Sequence, residues 1–164
     1  MLDGWRVCPR CGTDLERREG SVHCPACGFV HYASPAPAVC ALIVDDEGRV
    51  LLARRAHEPK AGLWDLVGGF LEEHEQPLDA LQREAREETG LDVQPLEFVG
   101  AVTDRYGDDG HATLNLAWTA RPLGGEPEPA DDVAELRWFA RDALPPRGEF
   151  AFENSVVLLD TWRG

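Results

Sequence analysis

Residues 68–91 read GGFLEEHEQPLDALQREAREETGL and contain the clearest helix signal of the chain. Pro77 suits a first helical turn and Gly90 suits the residue that ends a helix. Between them, apolar side chains recur at helical spacing, at Leu78, Leu81 and Ala85. The pattern predicts a helix from Pro77 to Gly90 that packs these three side chains on a core.

The end of this helix crowds Glu84, Glu87 and Glu88 together in a chain whose net charge is already −14. Residues three and four apart are neighbours on a helix, so Glu84 faces both other glutamates, and each like-charge pair costs roughly 0.2–0.5 kcal/mol. Arg83 is placed to pair with Glu87, which offsets part of this repulsion. A solvated charged face is the ordinary interpretation of such a run, and a bound cation is the alternative.

The stretch before the helix favours the cation. Gly68 and Gly69 form a turn whose backbone can approach a ligand closely, and Glu72 and Glu75 follow it. Backbone carbonyls and carboxylates are the ligands that Mg²⁺ and Mn²⁺ prefer, and these ions bridge to diphosphates. We therefore predict a divalent-metal site through which an acidic protein can bind a phosphate ligand.

The same residues carry a family resemblance. Gly69, Glu75, the run REAREE at 83–88 and the pair Gly90-Leu91 stand at the spacing of a complete Nudix box, so the chain resembles the Nudix hydrolases. The resemblance implies an α/β fold, an α/β/α sandwich around a mixed sheet. It also implies metal-dependent hydrolysis of a nucleoside diphosphate linked to another group. With its cysteine-rich first segment, the chain is similar to the zinc-ribbon branch, which includes NADH, FAD and ADP-ribose pyrophosphatases.

The resemblance implies a set of metal ligands. Glu84 and Glu88 resemble the principal ligands of Mg²⁺ or Mn²⁺, and Gly68 resembles the residue whose carbonyl completes the site. Glu87 resembles a third carboxylate that binds a second ion or acts as the base. Asp132 occupies the place of a further acidic ligand, with Glu135 as the fallback.

Two more residues of the box resemble the positioning and catalytic residues of the family. Arg83 is similar to the arginine that orients the helix carboxylates, and Glu75 to the glutamate that braces the loop against the helix. Together with Glu84 and Glu87 they form the predicted catalytic set; which carboxylate is the base stays open.

Candidate substrate contacts follow from residue type and position. Arg54 and Arg55 lie at the end of a predicted strand and could reach a phosphate, although solvation of the strand end is the ordinary alternative. Trp64 and Phe70 could stack on a ring, and packing is the ordinary alternative for Trp64. Tyr106 flanks a glycine-rich loop that could line the site.

The resemblance defines the substrate less closely than it defines the metal site. His111 flanks the other side of the loop YGDDG, and Val67 and His74 depart from the residues common at their places in the family. No Ser-Gln-Pro-Trp-Pro-Phe-Pro stretch like that of NADH pyrophosphatases follows the box, and the tail FAFENSVVLLDTW resembles the FAD and ADP-ribose relatives more closely. ADP-ribose or FAD-type substrates are therefore expected ahead of NADH or NAD.

The first segment carries four cysteines in two C-x-x-C pairs, Cys8 with Cys11 and Cys24 with Cys27, each pair followed by a glycine. Four thiolates at this spacing complete a tetrahedral structural Zn²⁺ site and leave no open position for catalysis. The fifth cysteine, Cys40, lies in a predicted strand, where a small buried thiol is commoner than a nucleophile.

Composition limits the class of protein. A chain of 164 residues suits one domain plus a small module, and Pro35 and Pro37 mark the junction between a zinc ribbon at 1–34 and a Nudix domain at 35–164. With 30 acidic against 16 basic residues, the surface should repel nucleic acid and anionic lipid. No membrane-length apolar run or secretory signal is recognised, so a cytoplasmic protein with reduced cysteines is expected.

The hydrophobic pattern predicts the element order β, β, α, β, β, β, α after residue 38. The first two runs, AVCALIV and RVLLARR, are separated by DDEG and predict a β-hairpin. Strands are expected near 96–105, 112–121 and 134–140, and a second amphipathic helix over FENSVVLLDTW. This alternation favours a layered α/β core.

Two other classes of function fit the sequence less well. A nucleic-acid-binding or regulatory nucleotide sensor would call for a basic ribbon, yet arginines and acidic residues are nearly balanced there. An inactive scaffold would be expected to lack a box carboxylate, and this box has all of them. A nucleotide-containing small molecule is the expected partner, and a homodimer is expected only by analogy with relatives.

Overall fold

The computed structural model describes Leu2, residues 4–107 and residues 110–164, and it divides the chain into two compact units, Met1–Pro35 and Ala36–Gly164. The sequence places the boundary one residue earlier. Asp108 and Asp109 of the predicted YGDDG loop lie outside the described residues. No helix in the described part of the chain is long and apolar enough to span a membrane.

The first unit is built on three short antiparallel strands that the sequence did not predict, β1 (Glu16–Arg18), β2 (Ser21–His23) and β3 (Val30–Tyr32). Their small apolar content explains the omission, because only Val22 of the three strands is a fully buried apolar residue. So small a core cannot stabilise a unit of this size without a cross-link or a metal.

The second unit contains two three-stranded sheets. In one, β8 (His111–Pro122) pairs in parallel with β4 (Ala36–Ile43) and antiparallel with β7 (Val93–Tyr106). In the other, β5 (Val50–Arg55) lies between β6 (Trp64–Asp65) and β9 (Val133–Phe139) and pairs antiparallel with both. The helices are α1 (Pro77–Thr89) and α2 (Glu153–Arg163).

Strand β4 explains why the fold has helices on two sides. Val39, Ala41 and Ile43 belong to the apolar cluster that contains the buried face of α1. Cys40 and Leu42 point the other way, into the cluster that contains the buried face of α2. Because successive side chains of a strand face opposite ways, a continuous apolar run such as AVCALI is buried on both sides. The predicted α/β sandwich with a mixed sheet is confirmed.

The predicted β-hairpin between the first two runs is wrong. Each strand exists, but β4 pairs with β8 and β5 with β6 and β9; only one isolated bridge, Val44 with Val50, joins the two runs. The turn itself is tight, because the Asp45 carboxylate accepts hydrogen bonds from the backbone N–H groups of Glu47 and Arg49. The turn therefore passes the chain from one sheet to the other, which local pattern cannot distinguish from a hairpin.

The predicted helix is confirmed, with Pro77 in its first turn and Gly90 at φ 71° as its cap. One of its three predicted anchors is wrong, because Leu78 is 43% exposed. Leu81 and Ala85 are buried together with Ala80. The buried face of the helix therefore begins at Ala80 and not at Leu78. The other predicted strands and the second helix are confirmed within a few residues.

The turn before α1 forms backbone hydrogen bonds with β4. Val39 N–H donates to the Gly69 carbonyl at 2.9 Å and Ala41 N–H donates to the Val67 carbonyl at 2.7 Å. Gly68 between them has φ 149°, and a Cβ there would lie 2.0 Å from the Val39 carbonyl oxygen. No side chain can occupy this position unless the turn moves away from the strand.

We expect Gly68→Ala to lower the free energy of unfolding by roughly 3 kcal/mol, because backbone strain is added and the two turn hydrogen bonds are stretched. Chemical denaturation of both proteins measures this directly. Gly148→Ala is the matched control, since its Cβ would meet no heavy atom within 4 Å. Equal stability of the Gly68 variant and the control would show that the turn adapts.

Candidate functional site

The glutamates of α1 differ in environment although they are close in sequence. Glu88 is 7% exposed, the side chain of Glu84 is 14% exposed, and that of Glu87 is 49% exposed. Burial of Glu88 follows from the helix period, since it lies one turn beyond the buried Ala85 and Leu81 side. Two carboxylates are thus held out of bulk water at the helix end, which is costly without a partner of opposite charge.

The glycine turn shapes the place where these carboxylates lie. Gly68 N–H donates to Oε2 of Glu88 at 3.0 Å. A Cβ on Gly69 would lie 2.5 Å from Oε1 of Glu84, so the missing side chain of Gly69 makes room for this carboxylate. The predicted carbonyl ligand, Gly68, therefore adjoins both predicted glutamate ligands.

Arg83 links three of the glutamates. Its guanidinium donates to both oxygens of Glu75 at 2.8 and 2.9 Å, to Glu84 Oε1 at 2.8 Å and to Glu87 Oε2 at 2.9 Å. It also donates to the Phe70 carbonyl at 3.2 Å, which ties the loop to the helix. The hydrogen bonds from Arg83 lower the pKa of Glu75 to about 2. These contacts are those expected of residues that orient the helix carboxylates.

The buried carboxylates resist ionisation in the absence of a cation. Burial raises the pKa of Glu84, and it raises the pKa of Glu88 well above its ordinary value. The charge of Asp132 adds to both shifts. A divalent ion would reverse this, because a nearby positive charge favours the ionised form.

The structure brings Asp132 to this place and not Glu135. Asp132 lines one cleft together with Gly68, Glu84 and Glu88. Glu135 lies outside that cleft, where it forms ion pairs with Arg54 and Arg137. The fallback ligand is therefore placed in a surface ion-pair network.

The oxygens that remain available fit a hard divalent cation. Among the described residues, Oε2 of Glu84, Oε1 of Glu88 and the carbonyl of Gly68 accept no hydrogen bond, and all three residues line the same cleft. Two carboxylates and a backbone carbonyl are a donor set that Mg²⁺ or Mn²⁺ accepts, with water filling the other positions.

A second space, which we call the inner pocket, lies beside the cleft. It is lined by Asp65, Asn115 and Asn154 and walled by the rings of Phe70, Tyr106 and Phe152. Its empty volume is about 460 Å³, part of it open to solvent. Arg55, Gly68, Gly69, Phe70 and Tyr106 line both spaces, so the acidic cleft and the inner pocket adjoin each other.

The predicted substrate contacts are placed unequally. Arg55, Phe70 and Tyr106 lie together: Arg55 Nη2 donates to Tyr106 Oη at 3.1 Å, and the Phe70 and Tyr106 rings meet edge to face at 5.4 Å. Arg54 faces away and pairs with Glu135 and the Gly62 carbonyl. His111 lies at the exposed start of β8, outside both lined spaces.

Trp64, which could have stacked on a substrate ring, is packed inside the protein instead. It is 5% exposed and packs edge to face on Phe139 at 5.1 Å, with the Arg54 and Arg137 guanidinium groups over the ring at 5.7 and 5.2 Å. A ring enclosed in this way is part of the core and leaves no face for a ligand. The packing alternative for this residue therefore holds.

Sequence reasoning missed the polar side of the inner pocket. Asp65, Asn115 and Asn154 come from β6, β8 and α2, and no spacing connects them. One signal was available: Thr113 and Asn115 alternate with Ala117 on the buried side of β8, so two polar residues occupy positions that a strand normally gives to apolar ones. His74, which departs from the family pattern, adopts the left-handed φ of 71° that glycine would adopt without strain.

In the first unit, the four predicted zinc ligands come together. The Sγ atoms of Cys8, Cys11, Cys24 and Cys27 all lie within 4.8 Å of one another, and the shortest separations are 3.5 Å. Tetrahedral Zn²⁺ with Zn–S distances of about 2.3 Å needs sulfurs about 3.8 Å apart, whereas a disulfide needs about 2 Å. Gly12 and Gly28, at φ 73° and 71°, close the two turns by donating to the Cys8 and Cys24 carbonyls. The cluster is compatible with zinc.

A mixed sheet between two helices, with a glycine turn that meets a glutamate-bearing helix at its edge, defines an α/β/α sandwich with an acidic site. The NUDIX domain model matches residues 34–159, and the chain belongs to the Nudix family. It is 32% identical over 144 residues to the NAD-capped RNA hydrolase NudC of Stutzerimonas stutzeri, covering 85% of this chain and 50% of that protein. The chain thus spans about half the length of the curated relatives it matches.

Solved structures agree with the family. A NUDIX hydrolase from Nitrosomonas europaea superposes with a TM-score of 0.74 at 27% identity, covering 96% of this chain and 88% of that one. An ADP-ribose pyrophosphatase from Streptococcus suis superposes with a TM-score of 0.58 at 25% identity, covering 80% and 94%. The predicted family and fold class are confirmed.

We expect the purified protein to contain about one zinc per chain, because four thiolates leave no room for a second ion. Elemental analysis after expression without chelator measures it. Cys11→Ser should lose most of the metal and unfold the first unit, whereas Cys40→Ala, which changes a cysteine outside the cluster, should keep it. Zinc-free, folded wild-type protein would contradict the site.

We expect Glu75→Gln to destabilise the protein in a pH-dependent way. The folded-state pKa of Glu75, about 2, lies below the ordinary value of 4.5, so its carboxylate contributes stability that is fully present above pH 4.5. That contribution is lost as the pH falls through this window toward 2. The melting temperature of the variant should therefore lie below that of wild type near neutral pH and approach it in acid.

The control is Glu73→Gln, which changes a neighbouring glutamate whose side chain is 90% exposed. Melting curves of this variant should follow those of wild type at every pH. A deficit of Glu75→Gln that stays constant from neutral pH to about pH 3 would show that its ion pair with Arg83 does not stabilise the fold.

Proposed function

We propose that the chain hydrolyses the diphosphate linkage of a nucleoside diphosphate joined to another group, with the help of a divalent metal. The observation that carries the proposal is the pair of adjoining spaces: one gathers the box carboxylates and the Gly68 carbonyl, and the other is a pocket walled by aromatic rings. A charged diphosphate suits the first space, and a planar ring suits the second.

In this proposal Glu84, Glu88 and the Gly68 carbonyl hold Mg²⁺ or Mn²⁺, and Asp132 and Glu87 are further carboxylates at the same cleft. The ion, when bound, supplies positive charge that neutralises the diphosphate and stabilises the charge developing on the leaving phosphate. Because the chain has a net charge of −14, an anionic substrate needs such an ion in order to bind.

Side chains of the protein position the carboxylates, accept a proton and contact the phosphate. Arg83, braced by Glu75, holds one oxygen each of Glu84 and Glu87 and so fixes where their remaining oxygens point. The oxygen of Glu87 that Arg83 leaves free accepts the proton of the water that attacks phosphorus, and Glu84 takes this role only if its Oε2 does not bind the ion. Arg55, which lines both spaces, is the side chain placed to contact a phosphate between them.

ADP-ribose or FAD-type compounds are the first substrate class in this proposal. They are supported by the tail sequence around α2 and by the likeness to an ADP-ribose pyrophosphatase. A second candidate, an NAD(H)-type dinucleotide or an NAD cap on RNA, is favoured by the name of the relative that is 32% identical. The proposed division of labour gives catalysis to residues 35–164 and zinc binding to residues 1–34.

We expect the protein with Mg²⁺ or Mn²⁺ to hydrolyse at least one of ADP-ribose, FAD, NADH, NAD and an NAD-capped RNA, and Glu88→Gln to reduce that turnover by about a thousandfold. Product analysis by chromatography measures both. The melting temperature of Glu88→Gln should equal or exceed that of wild type, because the substitution removes a buried charge and keeps an oxygen that can accept from Gly68 N–H.

If none of these compounds is hydrolysed with either ion, the proposal is contradicted. A marked loss of stability in Glu88→Gln would instead show that this carboxylate serves the fold. Activity on the capped RNA without activity on the free dinucleotides would select the second candidate.

A further inference from the structure

The inner pocket holds polar atoms that no protein group satisfies. Asn115 is 5% exposed, and its Nδ2 donates to the Val102 carbonyl at 3.3 Å and to Thr113 Oγ1 at 3.0 Å. A carbonyl can only accept, so this contact fixes which end of the amide is nitrogen. Both Nδ2 hydrogens are thereby used, and Oδ1 is left without a partner among the described residues.

Asn154 is the converse case. It is 6% exposed, and its Oδ1 accepts from the backbone N–H of Ser155 at 2.7 Å, which fixes the oxygen end of the amide. Its Nδ2 is left without a partner in the described part of the chain. No polar side-chain atom of the described residues is both fully buried and unpaired, so each of these free atoms is reached from the pocket that both residues line.

Asp65 adds a second acceptor. Its Oδ1 accepts from Ser155 Oγ at 2.5 Å and from Leu66 N–H at 2.9 Å, and these contacts hold the carboxylate in place. Among the described residues, its Oδ2 has only a long ion pair to Arg55, 3.7 Å away. The side chain is 16% exposed and lines the same pocket. Asp65, Asn115 and Asn154 thus offer the pocket two free acceptors and one free amide donor.

We propose that this pocket recognises a planar ring that carries an NH₂ group beside a hydrogen-bond acceptor. The two hydrogens of the NH₂ group match Asp65 Oδ2 and Asn115 Oδ1, and the neighbouring acceptor matches Asn154 Nδ2. The proposal rests on the hydrolysis proposed above, since the pocket adjoins the acidic cleft. It makes Asp65 and Asn115 specificity-determining residues.

The walls fit the same ligand. Tyr106 and Phe152 stack on each other at 5.4 Å, and the Arg55 guanidinium lies over the two rings at 5.6 and 5.4 Å, so these rings form a packed wall. Phe70 meets Tyr106 edge to face at 5.4 Å and is 41% exposed, so it is the ring with a surface left for a ligand. Aromatic walls with a few convergent polar atoms are the usual make-up of a pocket for a heteroaromatic ring. A ligand that lacks the NH₂ group would leave a buried acceptor unpaired, which is the strongest form of discrimination a hydrogen bond offers.

Two parts of the proposed substrates present this pattern, the amino edge of adenine and the carboxamide of nicotinamide. The test therefore has two arms, each a pair of compounds in which oxygen replaces the NH₂ group; the ring nitrogen beside it also becomes a donor in hypoxanthine, and nicotinate is an anion. One arm compares ADP-ribose with its hypoxanthine counterpart, and the other compares NAD with its nicotinate counterpart. In one arm or the other we expect kcat/KM to favour the amino compound by about tenfold or more.

Asp65→Asn is the decisive variant, because it keeps the shape and replaces an acceptor by a donor. It should reduce the preference to about twofold or less, and Asn115→Ala should reduce it in the same arm. Asp46→Asn, the same chemical change on an exposed turn residue, should keep the wild-type preference. If melting curves show that one pocket variant does not fold, the other decides.

Binding measurements test the ring recognition independently of the proposed hydrolysis. Dissociation constants of the wild-type protein for the four compounds, each made with a non-hydrolysable methylene bridge in place of the diphosphate oxygen and measured by calorimetry with Mg²⁺, should show the same preference without turnover. Hydrolysis by wild type with no preference in either arm overturns the inference and leaves the proposed function standing. Absence of hydrolysis overturns the function, and equal dissociation constants within both pairs then overturn the inference as well.

Discussion

The arrangement depends on the close approach of the turn at 67–69 to strand β4. Two backbone hydrogen bonds join the turn to the strand, and the room between them is so small that a Cβ on Gly68 would overlap the Val39 carbonyl. The same turn donates from Gly68 N–H to Glu88 on helix α1. One glycine therefore fixes the relation between the central strand, the turn and the acidic helix, because any side chain would force them apart.

From this contact the electrostatics of the site follow. With the turn fixed, Glu84 occupies the space left by the missing side chain of Gly69, and Glu88 is buried beneath Gly68. Burial raises the pKa of both carboxylates, and Asp132 raises them further. Arg83 offsets part of the negative charge but sits on the Glu75 and Glu87 side, so it leaves one oxygen of Glu84 and one of Glu88 free. The fold thus concentrates negative charge where a divalent ion would stabilise it.

The two adjoining spaces also show how one surface can combine charge and specificity. The acidic cleft is built mainly from one helix and one turn, whereas the inner pocket collects residues from strands of both sheets and from α2. Residues such as Arg55 and Tyr106 line both parts and hydrogen bond to each other across the junction. A change of ring specificity could therefore occur in the pocket without moving the carboxylates, because different elements hold the two parts.

The sequence by itself determined the features that are local in the chain. The helix over 77–89, its glutamate cluster, the glycine turn and the two cysteine pairs are all set by spacings of a few residues, so period and motif were sufficient to predict them. Only the tertiary structure decided which strands pair, that Asp132 and not Glu135 lines the cleft, and that Trp64 is packed in the core while Asp65, next to it, faces the inner pocket. The physical reason is that pairing and pocket lining depend on residues far apart in sequence, such as Asp65 and Ser155, whose contact leaves no local pattern.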